Sequence, residues 1–297
     1  MLLTIKYISM KKHIAISILP ITFLTVAAQN SSEIIHKQEI YKSVDTFKLR
    51  TDVFYTRESL NKKNNTAIVF FHGGGWAYGT PSEFFTTCER YAEKGIITFS
   101  VEYRLSIDHG RVPHNTISPI ECVMDARSAI RWVRANAEKY GIDRNKIIAS
   151  GQSAGGHLAL CTAMIDEYNE PSDDMTISCR PDALLLFSSC INAIEGWCDM
   201  LLDDRRTKIW SISPFHNVRP GLPPMIEFHG TYDDQVPVWT VQFFAERMQK
   251  AGNYFELHQY KGMRHYLGEG NPKYSRYYTD EILDITDEFL RKYKFLK

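Results

Sequence analysis

Residues 146–159 read Lys-Ile-Ile-Ala-Ser-Gly-Gln-Ser-Ala-Gly-Gly-His-Leu-Ala, and this stretch decides the fold. Its first part, Lys146–Ser150, is an apolar run without alternation, which is typical of a strand covered on both faces. Its last part begins an Ala/Leu-rich segment that predicts a helix over residues 154–168. Between them lies Gly-x-Ser-x-Gly at Gly151–Gly155. Strand, sharp turn and helix together present Ser153 at the end of a sheet.

Ser153 is the candidate nucleophile. A serine hydroxyl is a poor nucleophile at neutral pH, so it needs a base in reach and an unobstructed approach. Gly151 and Gly155 leave that approach free of side chains. The alternative interpretation is an ordinary glycine-rich turn between a strand and a helix.

A second glycine-rich turn, His72-Gly73-Gly74-Gly75, follows the apolar run 67–71. Without side chains, its backbone N–H groups can approach a developing oxyanion, where each donor typically contributes about 2.7–4 kcal/mol. The N–H of Ala154, at the start of the predicted helix, adds a donor. We expect His72 to brace this loop by hydrogen bonds; direct participation in catalysis is the alternative.

The candidate acid and base come later in the chain. Asp233 follows an apolar strand that ends at His229, where its carboxylate can accept a hydrogen bond from the base and stabilise an imidazolium. Asp234 is the rival for this role. His265, in the loop after the last predicted strand, is the candidate general base, whereas His258 alternates within that strand and is interpreted as structural.

Apolar runs and amphipathic segments alternate along the chain and predict an α/β fold, a doubly wound, mostly parallel sheet of about eight strands flanked by helices. Residues 46–55 alternate as an antiparallel edge strand should. The other predicted strands are 67–71, 96–101, 146–150, 183–187, 225–229 and 255–260, and the predicted helices are 83–94, 119–141, 154–168, 238–250 and 279–294.

The composition fits one large domain of 297 residues, 44% of them hydrophobic. With 35 basic and 35 acidic side chains the formal net charge is zero, so nothing attracts the chain to nucleic acid or anionic lipid. A small-molecule or oligosaccharide substrate fits better. The composition gives no indication of the oligomeric state.

The N-terminus has the pattern of a signal peptide. Met10–His13 is basic, Ile14–Val26 is apolar, and cleavage after Ala28 fits the small residues there. The prediction is a signal peptide over residues 1–28 and a catalytic domain over 29–297, exported to the periplasm or secreted, with no stable membrane insertion after cleavage. An uncleaved membrane anchor is the alternative, although the apolar run is shorter than the roughly 20 residues that a span needs.

Six cysteines are compatible with export, but their spacing does not specify a disulfide framework. Cys122 and Cys161 fall within predicted helices and are expected to be buried, while a bridge between Cys190 and Cys198 stays open. No His-Glu-x-x-His or paired-cysteine spacing indicates a metal, and Gly73–Gly75 lacks the Gly-x-Gly-x-x-Gly spacing of a dinucleotide site. We therefore predict no metal and no cofactor.

With these motifs in place, residues 46–294 resemble the α/β-hydrolase esterase/lipase superfamily, in particular its hormone-sensitive-lipase-like branch and the related secreted acetyl and feruloyl esterases of carbohydrates. Further matching segments are residues 101–105, 125–132 and 153–159. The resemblance implies a triad and a set of oxyanion donors: Ser153, Asp233 and His265 for the triad, and Gly74, Gly75 and Ala154 for the oxyanion hole.

Two departures from that branch bear on the substrate. Gln152 stands where the lipase-like branch often has Asp, and only about 44 residues separate Ala28 from His72, which leaves room for little or no cap. We therefore expect an open cleft and short acyl groups. The candidates for substrate binding are aromatic and lie beside the oxyanion loop or in the irregular stretch 191–218: Trp76, Tyr78, Trp197 and Trp210.

The predicted function is that of a secreted serine carboxylesterase which removes short acyl groups, acetyl above all, from plant carbohydrate such as xylan through an acyl-enzyme. Feruloyl esterase, lipase-like esterase on longer chains, arylformamidase and prolyl-oligopeptidase-like peptidase are alternative enzymes. Export disfavours the arylformamidase, and the chain has no room for the large propeller of the peptidase. The alternative from another class is an inactive binding protein that kept the fold.

Overall fold

The computed structural model describes residues 33–108, 112–113, 116–194, 198–268 and 276–297. The predicted signal peptide lies outside these residues. The strands are β1 Ile34–Val44, β2 Phe47–Thr56, β3 Asn65–Phe71, β4 Ile97–Val101, β5 Ile107–Asp108, β6 Val112–Pro113, β7 Ile142–Gln152, β8 Ala183–Phe187, β9 Met225–Gly230 and β10 Phe255–Tyr260. The helices are α1 Arg57–Leu60, α2 Phe85–Glu93, α3 Pro119–Ala135, α4 Ala154–Met164, α5 Cys198–Leu202, α6 Val238–Lys250 and α7 Asp280–Lys292, with 3₁₀ turns at Pro81–Phe84, Asp203–Ile212 and Pro214–His216.

Eight strands form one sheet in the order β1-β2-β4-β3-β7-β8-β9-β10. β1 and β2 pair antiparallel, as do β2 and β4. All the remaining neighbours pair parallel. β5 and β6 form a separate two-stranded ribbon. The prediction of a mostly parallel sheet of about eight strands is confirmed.

Helices cover both faces of the sheet, which explains the unbroken apolar runs of the central strands. All residues of β3, β4, β8 and β9 are buried. One face packs against α3, α4 and α6. The other packs against α2 and α7. The sheet is therefore doubly wound, and its carboxyl edge is the edge left for loops.

The edge strand differs from the prediction. β1 lies outside β2, so the segment predicted at the edge, 46–55, is the second strand of the sheet. The sequence of β1, Ile-Ile-His-Lys-Gln-Glu-Ile-Tyr-Lys-Ser-Val, has no apolar run because only its Tyr41 and Lys42 are buried. A strand with one partner and little burial leaves a weak pattern in the sequence.

The helix after Ser153 ends at Met164 and not at the predicted residue 168. Ile165 is extended, and its carbonyl accepts a hydrogen bond from the guanidinium of Arg127. Arg127 also donates to the carbonyl of Asp166 at 3.2 Å. Because this arginine on α3 binds the backbone that follows α4, the chain leaves the helix early and covers Arg127, which is 3% exposed.

All six cysteines lie within the described residues, where each is a buried thiol outside any disulfide. Cys190 and Cys198 therefore form no bridge. Within the same residues, no helix combines the length and the apolar character needed to cross a membrane.

Candidate active site

The strand register brings the carboxyl ends of the parallel strands to one edge. Phe71, the last residue of β3, pairs with Gly151 of β7, and Gln152 pairs with Phe187 of β8. Phe187 pairs in turn with Phe228 of β9. The glycine loop follows β3, and the turn after β7 carries Ser153. The loop after β9 carries Asp233, and the loop after β10 carries His265.

Ser153 sits in a strained turn with φ 55° and ψ −120°. For a residue with a side chain this conformation costs about 1–3 kcal/mol, so the surroundings must hold it. The Ser153 N–H donates to the Phe187 carbonyl at 3.0 Å, and its own carbonyl accepts from the N–H groups of His157 and Cys190 at 3.0 and 3.1 Å. These contacts fix the turn that presents Ser153 at the sheet edge.

Gly155, two residues after Ser153, has to be a glycine because the backbone packs closely there. A Cβ on Gly155 would lie 2.0 Å from the Phe71 carbonyl oxygen, a distance that no real contact reaches. α4 therefore begins directly against the end of β3, which places Ala154 beside the glycine loop.

His265 binds Asp233 and Gln152 through its two ring nitrogens. Nδ1 lies 2.8 Å from Asp233 Oδ2, and Nε2 lies 3.0 Å from the amide nitrogen of Gln152. An amide NH₂ can only donate, so Nε2 accepts, and Nδ1 carries the proton that it donates to Asp233. This is the tautomer that a general base requires.

Ser153 itself makes no hydrogen bond to His265 within the described residues, since the Gln152 amide occupies the Nε2 lone pair. The sequence marked Gln152 only as a departure from a family pattern. Its contact with the candidate base depends on two side chains 113 positions apart, and no local signal in the sequence indicates it.

Asp233 is held by four donors. Its Oδ1 accepts from the N–H groups of Gln235 and Val236, both at 2.9 Å. Its Oδ2 faces His265 and also His229, whose Nε2 is 3.3 Å away. Burial alone would raise the pKa of Asp233, but the hydrogen bonds from His229 and His265 outweigh it and hold the pKa well below the usual carboxyl range. Asp233 is therefore ionised at neutral pH.

Asp234, the rival candidate, binds a different side chain. Its carboxylate pairs with Arg264, and about half of its side chain is exposed. Of the two neighbouring carboxylates, the structure places Asp233 against His265.

The glycine loop is wound in the left-handed region. Gly74 has φ +109° and Gly75 φ +60°, and a Cβ on Gly74 would lie 2.3 Å from the Tyr78 carbonyl oxygen. The Gly74 carbonyl turns back into the loop and accepts from the N–H groups of Ala77 and Tyr78 at 3.1 and 3.0 Å. Ala154 is the first residue of α4, so its N–H has no partner within the helix.

Gly74, Gly75, Ser153 and Ala154 all line one cavity of about 530 Å³. Trp76 and Tyr78, two of the aromatic candidates for substrate binding, line it as well. Trp210 is not among its lining residues; 56% of Trp210 is exposed, and its ring packs edge-on against His216 at 4.5 Å. The fourth aromatic candidate, Trp197, lies outside the described residues.

Two buried histidines support the loop from behind. The His72 ring stacks on Tyr103 at 4.2 Å, and its Nδ1 lies 2.8 Å from the Gly73 carbonyl. His157 accepts from Trp76 Nε1 at 3.1 Å and donates from Nε2 to the Ile212 carbonyl at 2.7 Å. Burial lowers the pKa of each histidine to about 4. Both are therefore neutral at pH 7.

We expect the protein to lose stability between pH 6.5 and 5. An unfolded histidine has a pKa of about 6.5, so the unfolded chain takes up protons that folded His72 and His157 do not, and the free energy of unfolding falls by up to about 1.4 kcal/mol per pH unit for each of them. Urea unfolding at several pH values measures the slope. His157→Gln should remove the share due to His157, and a free energy of unfolding independent of pH in this window would contradict the prediction.

Comparison with known proteins agrees with this geometry. A family model described as BD-FAE matches residues 52–248. Esterase LipC of Mycobacterium tuberculosis is 27% identical over 75% of this chain and 58% of its own length. Isoprenylcysteine alpha-carbonyl methylesterase ICME of Arabidopsis thaliana is 27% identical over 67% of this chain and 49% of its own length. The chain thus spans about half the length of these curated relatives.

Among solved structures, esterase 2 of Thermogutta terrifontis is 39% identical, with a TM-score of 0.79 over 88% of this chain and 93% of that one. It has been solved with propionate and with butyrate bound, and phosphorylated by paraoxon. The similarity therefore extends over nearly the whole of a solved esterase.

Proposed function

The chain belongs to the BD-FAE family within the α/β-hydrolase esterase/lipase superfamily, and we propose that it is a serine carboxylesterase that hydrolyses short-chain esters through an acyl-enzyme. The observation that carries this proposal is the pair Asp233 and His265, set in the tautomer of a general base beside the strained turn of Ser153. The glycine loop and Ala154 lie at the same cavity.

In the first half of the proposed reaction, Ser153 Oγ attacks the ester carbonyl carbon while His265 Nε2 exchanges the Gln152 amide for the serine proton. Asp233, ionised and hydrogen-bonded to Nδ1–H, stabilises the imidazolium. The carbonyl oxygen becomes an oxyanion, to which the backbone N–H groups of Gly74, Gly75 and Ala154 donate. Collapse of the tetrahedral intermediate breaks the ester bond, and the alcohol leaves with the proton from His265.

In the second half, water replaces the alcohol. The water oxygen attacks the acyl carbon while His265 Nε2 takes a proton from the water. The same oxyanion donors stabilise the second tetrahedral intermediate. The intermediate releases the carboxylic acid and returns the proton to Ser153 Oγ. One water is consumed for each ester cleaved, and every proton is accounted for without a cofactor.

We propose short acyl groups, with acetyl as the main one, for this site. Trp76, 2% exposed, closes the cavity beside the glycine loop, where a bulky ring limits the space for an acyl chain. Residues 33–71 form only strands and the one-turn helix α1, so no cap covers the cavity from that part of the chain. The similar esterase of T. terrifontis holds propionate or butyrate, both of them short acids.

For the alcohol side we propose carbohydrate, in an enzyme that is exported. The cavity wall carries Tyr78, 49% exposed, together with the charged side chains of Glu83 and Arg276 and the ring of Tyr266. Hydroxyl-rich sugars bind to such a mixture of aromatic faces and hydrogen-bonding groups. The basic and apolar residues before Ala28 support export.

Hydrolysis of 4-nitrophenyl esters from acetate to octanoate, with acetylated xylan in the same series, tests the substrate class. We expect kcat/KM to be highest at acetate to butyrate and at least about tenfold lower at octanoate, because a pocket that rejects extra methylenes does so by about 1–3 kcal/mol. Acetate should be released from the xylan. The alkaline hydrolysis rate of each ester corrects for intrinsic reactivity, and a corrected maximum at octanoate would refute the short-chain proposal.

A further inference from the structure

Four ionisable side chains form a row behind the cavity. Asp233 Oδ2 lies 2.8 Å from His265 Nδ1 and 3.3 Å from His229 Nε2. His229 Nδ1 lies 3.1 Å from Glu227 Oε1. Glu227 and His229 are both fully buried, at 0% exposure. The row therefore runs Glu227, His229, Asp233, His265 from the middle of β9 to the candidate base.

Each ring nitrogen of His229 faces an oxygen atom. Its Nε2 also lies 3.0 Å from the Val236 carbonyl, an oxygen that can only accept. Its Nδ1 faces Glu227 Oε1, which already accepts from the Ser189 N–H at 2.9 Å. Burial disfavours an imidazolium, but the carboxylates of Asp233 and Glu227 outweigh it and raise the pKa of His229 to about 10. His229 is therefore a cation at neutral pH.

At the paired positions of the neighbouring strands and on the buried face of α6, no titratable side chain faces this pair. On the neighbouring strands, the residues paired with Glu227 are Leu186 and Leu257, and the residue paired with His229 is Gln259. The residues that α6 buries against this face are also uncharged: Thr240, Val241, Phe244 and Met248. The carboxylate next to the row is that of Asp234, which is exposed and paired with Arg264.

Burying Glu227 at this position lowers the stability of the folded protein. It interrupts the apolar run of β9, and its Oε2 is buried without a hydrogen-bond partner among the described residues. An unsatisfied buried polar atom costs about 1–3 kcal/mol, more when it is charged. Stability alone does not explain this glutamate.

The charge of His229 explains why a glutamate lies at position 227. If Glu227 were neutral, the His229 cation would cancel the charge of Asp233, and the imidazolium of His265 would form beside a pair with no net charge. With Glu227 ionised, the three residues behind His265 carry one net negative charge. This charge lies close enough to favour protonation of His265 in the transition state.

We propose that Glu227 is a positioning residue, which neutralises His229 so that the charge of Asp233 remains available to His265. This inference rests on the proposed esterase function. It adds to the triad a buried Glu-His pair that acts only through Asp233 and touches no substrate.

The pH profile of kcat/KM in Glu227→Gln tests the inference. The variant keeps the shape of the side chain and removes its charge. We expect the midpoint of the acidic limb to fall by about one pH unit and kcat to fall about tenfold with KM within about twofold of wild type, since one pKa unit corresponds to a factor of ten. An unchanged midpoint in a folded, active variant would overturn the inference.

Glu256→Gln is the matched control. Glu256 and His258 on β10 have the same spacing along a strand, with Glu256 Oε1 2.8 Å from His258 Nε2, but they do not contact Asp233. This control should leave the midpoint at the wild-type value. Glu227→Gln/His229→Gln removes both charges and should return the midpoint to within about 0.3 pH units of wild type. A midpoint that stays low in the double variant would contradict charge balance.

Nitrogen NMR of histidine-labelled wild-type protein keeps the inference testable even if these variants fail to fold. At pH 8 we expect the His229 ring to have both nitrogens protonated, and through-space contacts of its ring protons with Val236 assign the signal. A neutral His229 at pH 8 would overturn the inference. Failure of the esterase function is a separate result, because it appears as wild-type protein that does not hydrolyse aryl acetates.

Discussion

Replacing Ser153 with alanine should lower kcat/KM for 4-nitrophenyl acetate by about 10⁵- to 10⁶-fold. Without the hydroxyl no acyl-enzyme can form, and loss of a nucleophile that acts together with its base removes nearly the whole advantage of the triad. The variant should fold normally, because Ser153 is held through its backbone N–H and carbonyl and not through its side chain. Steady-state kinetics on purified protein, with circular dichroism to compare the folds, provide the measurement.

Ser150→Ala is the control for this loss. Ser150 lies three residues earlier, on β7, and is fully buried, so its truncation should leave kcat/KM within about threefold of wild type. Retention of more than about one per cent of wild-type activity in Ser153→Ala would exclude Ser153 as the nucleophile.

Replacing Asp233 with asparagine should lower kcat by about 10⁴-fold. The asparagine amide would donate where the carboxylate accepts, which favours the His265 tautomer with the proton on Nε2. That tautomer cannot take a proton from Ser153. The two backbone N–H groups that bind Oδ1 can still donate to the asparagine oxygen, so the loop should keep its shape.

Asp234→Asn is the matched control, since it removes the charge of the neighbouring carboxylate. Asp234 is exposed and pairs with Arg264, and surface ion pairs contribute little to stability. We expect kcat to stay within about threefold of wild type. A larger loss in Asp234→Asn than in Asp233→Asn would assign the acid to Asp234.

Most of the sheet could be predicted because burial on both faces leaves unbroken apolar runs. The predicted strands 183–187 and 255–260 and the predicted helix 238–250 have the bounds that the structure gives to β8, β10 and α6. The order of motifs along the chain also carried information, because parallel strands place everything that follows them at one edge. Asp233 and His265 come into contact because each follows a parallel strand and therefore lies at that edge.

What could not be predicted involves pairings between distant side chains. β1 was not predicted because most of its residues are exposed or half-buried, and only Tyr41 and Lys42 are buried, so its sequence has no regular apolar pattern. The contact between Gln152 and His265 joins the end of β7 to the loop after β10. The pairing of Glu227 with His229 resembles an ordinary polar interruption in a strand. Trp210 was a reasonable candidate for the cavity by residue type, but the 3₁₀ segment Asp203–Ile212 carries it to the surface.

Covalent labelling by paraoxon tests the central claim most directly. The phosphorus of this reagent is attacked as an ester carbonyl would be, 4-nitrophenolate leaves, and a diethylphosphoryl group stays on the nucleophile. Peptide mapping by mass spectrometry should find one such group per chain, on Ser153, with loss of esterase activity in step with labelling, and Ser153→Ala should remain unlabelled. A stoichiometric adduct on any other residue, or labelling of Ser153 that leaves the activity intact, would contradict catalysis by Ser153.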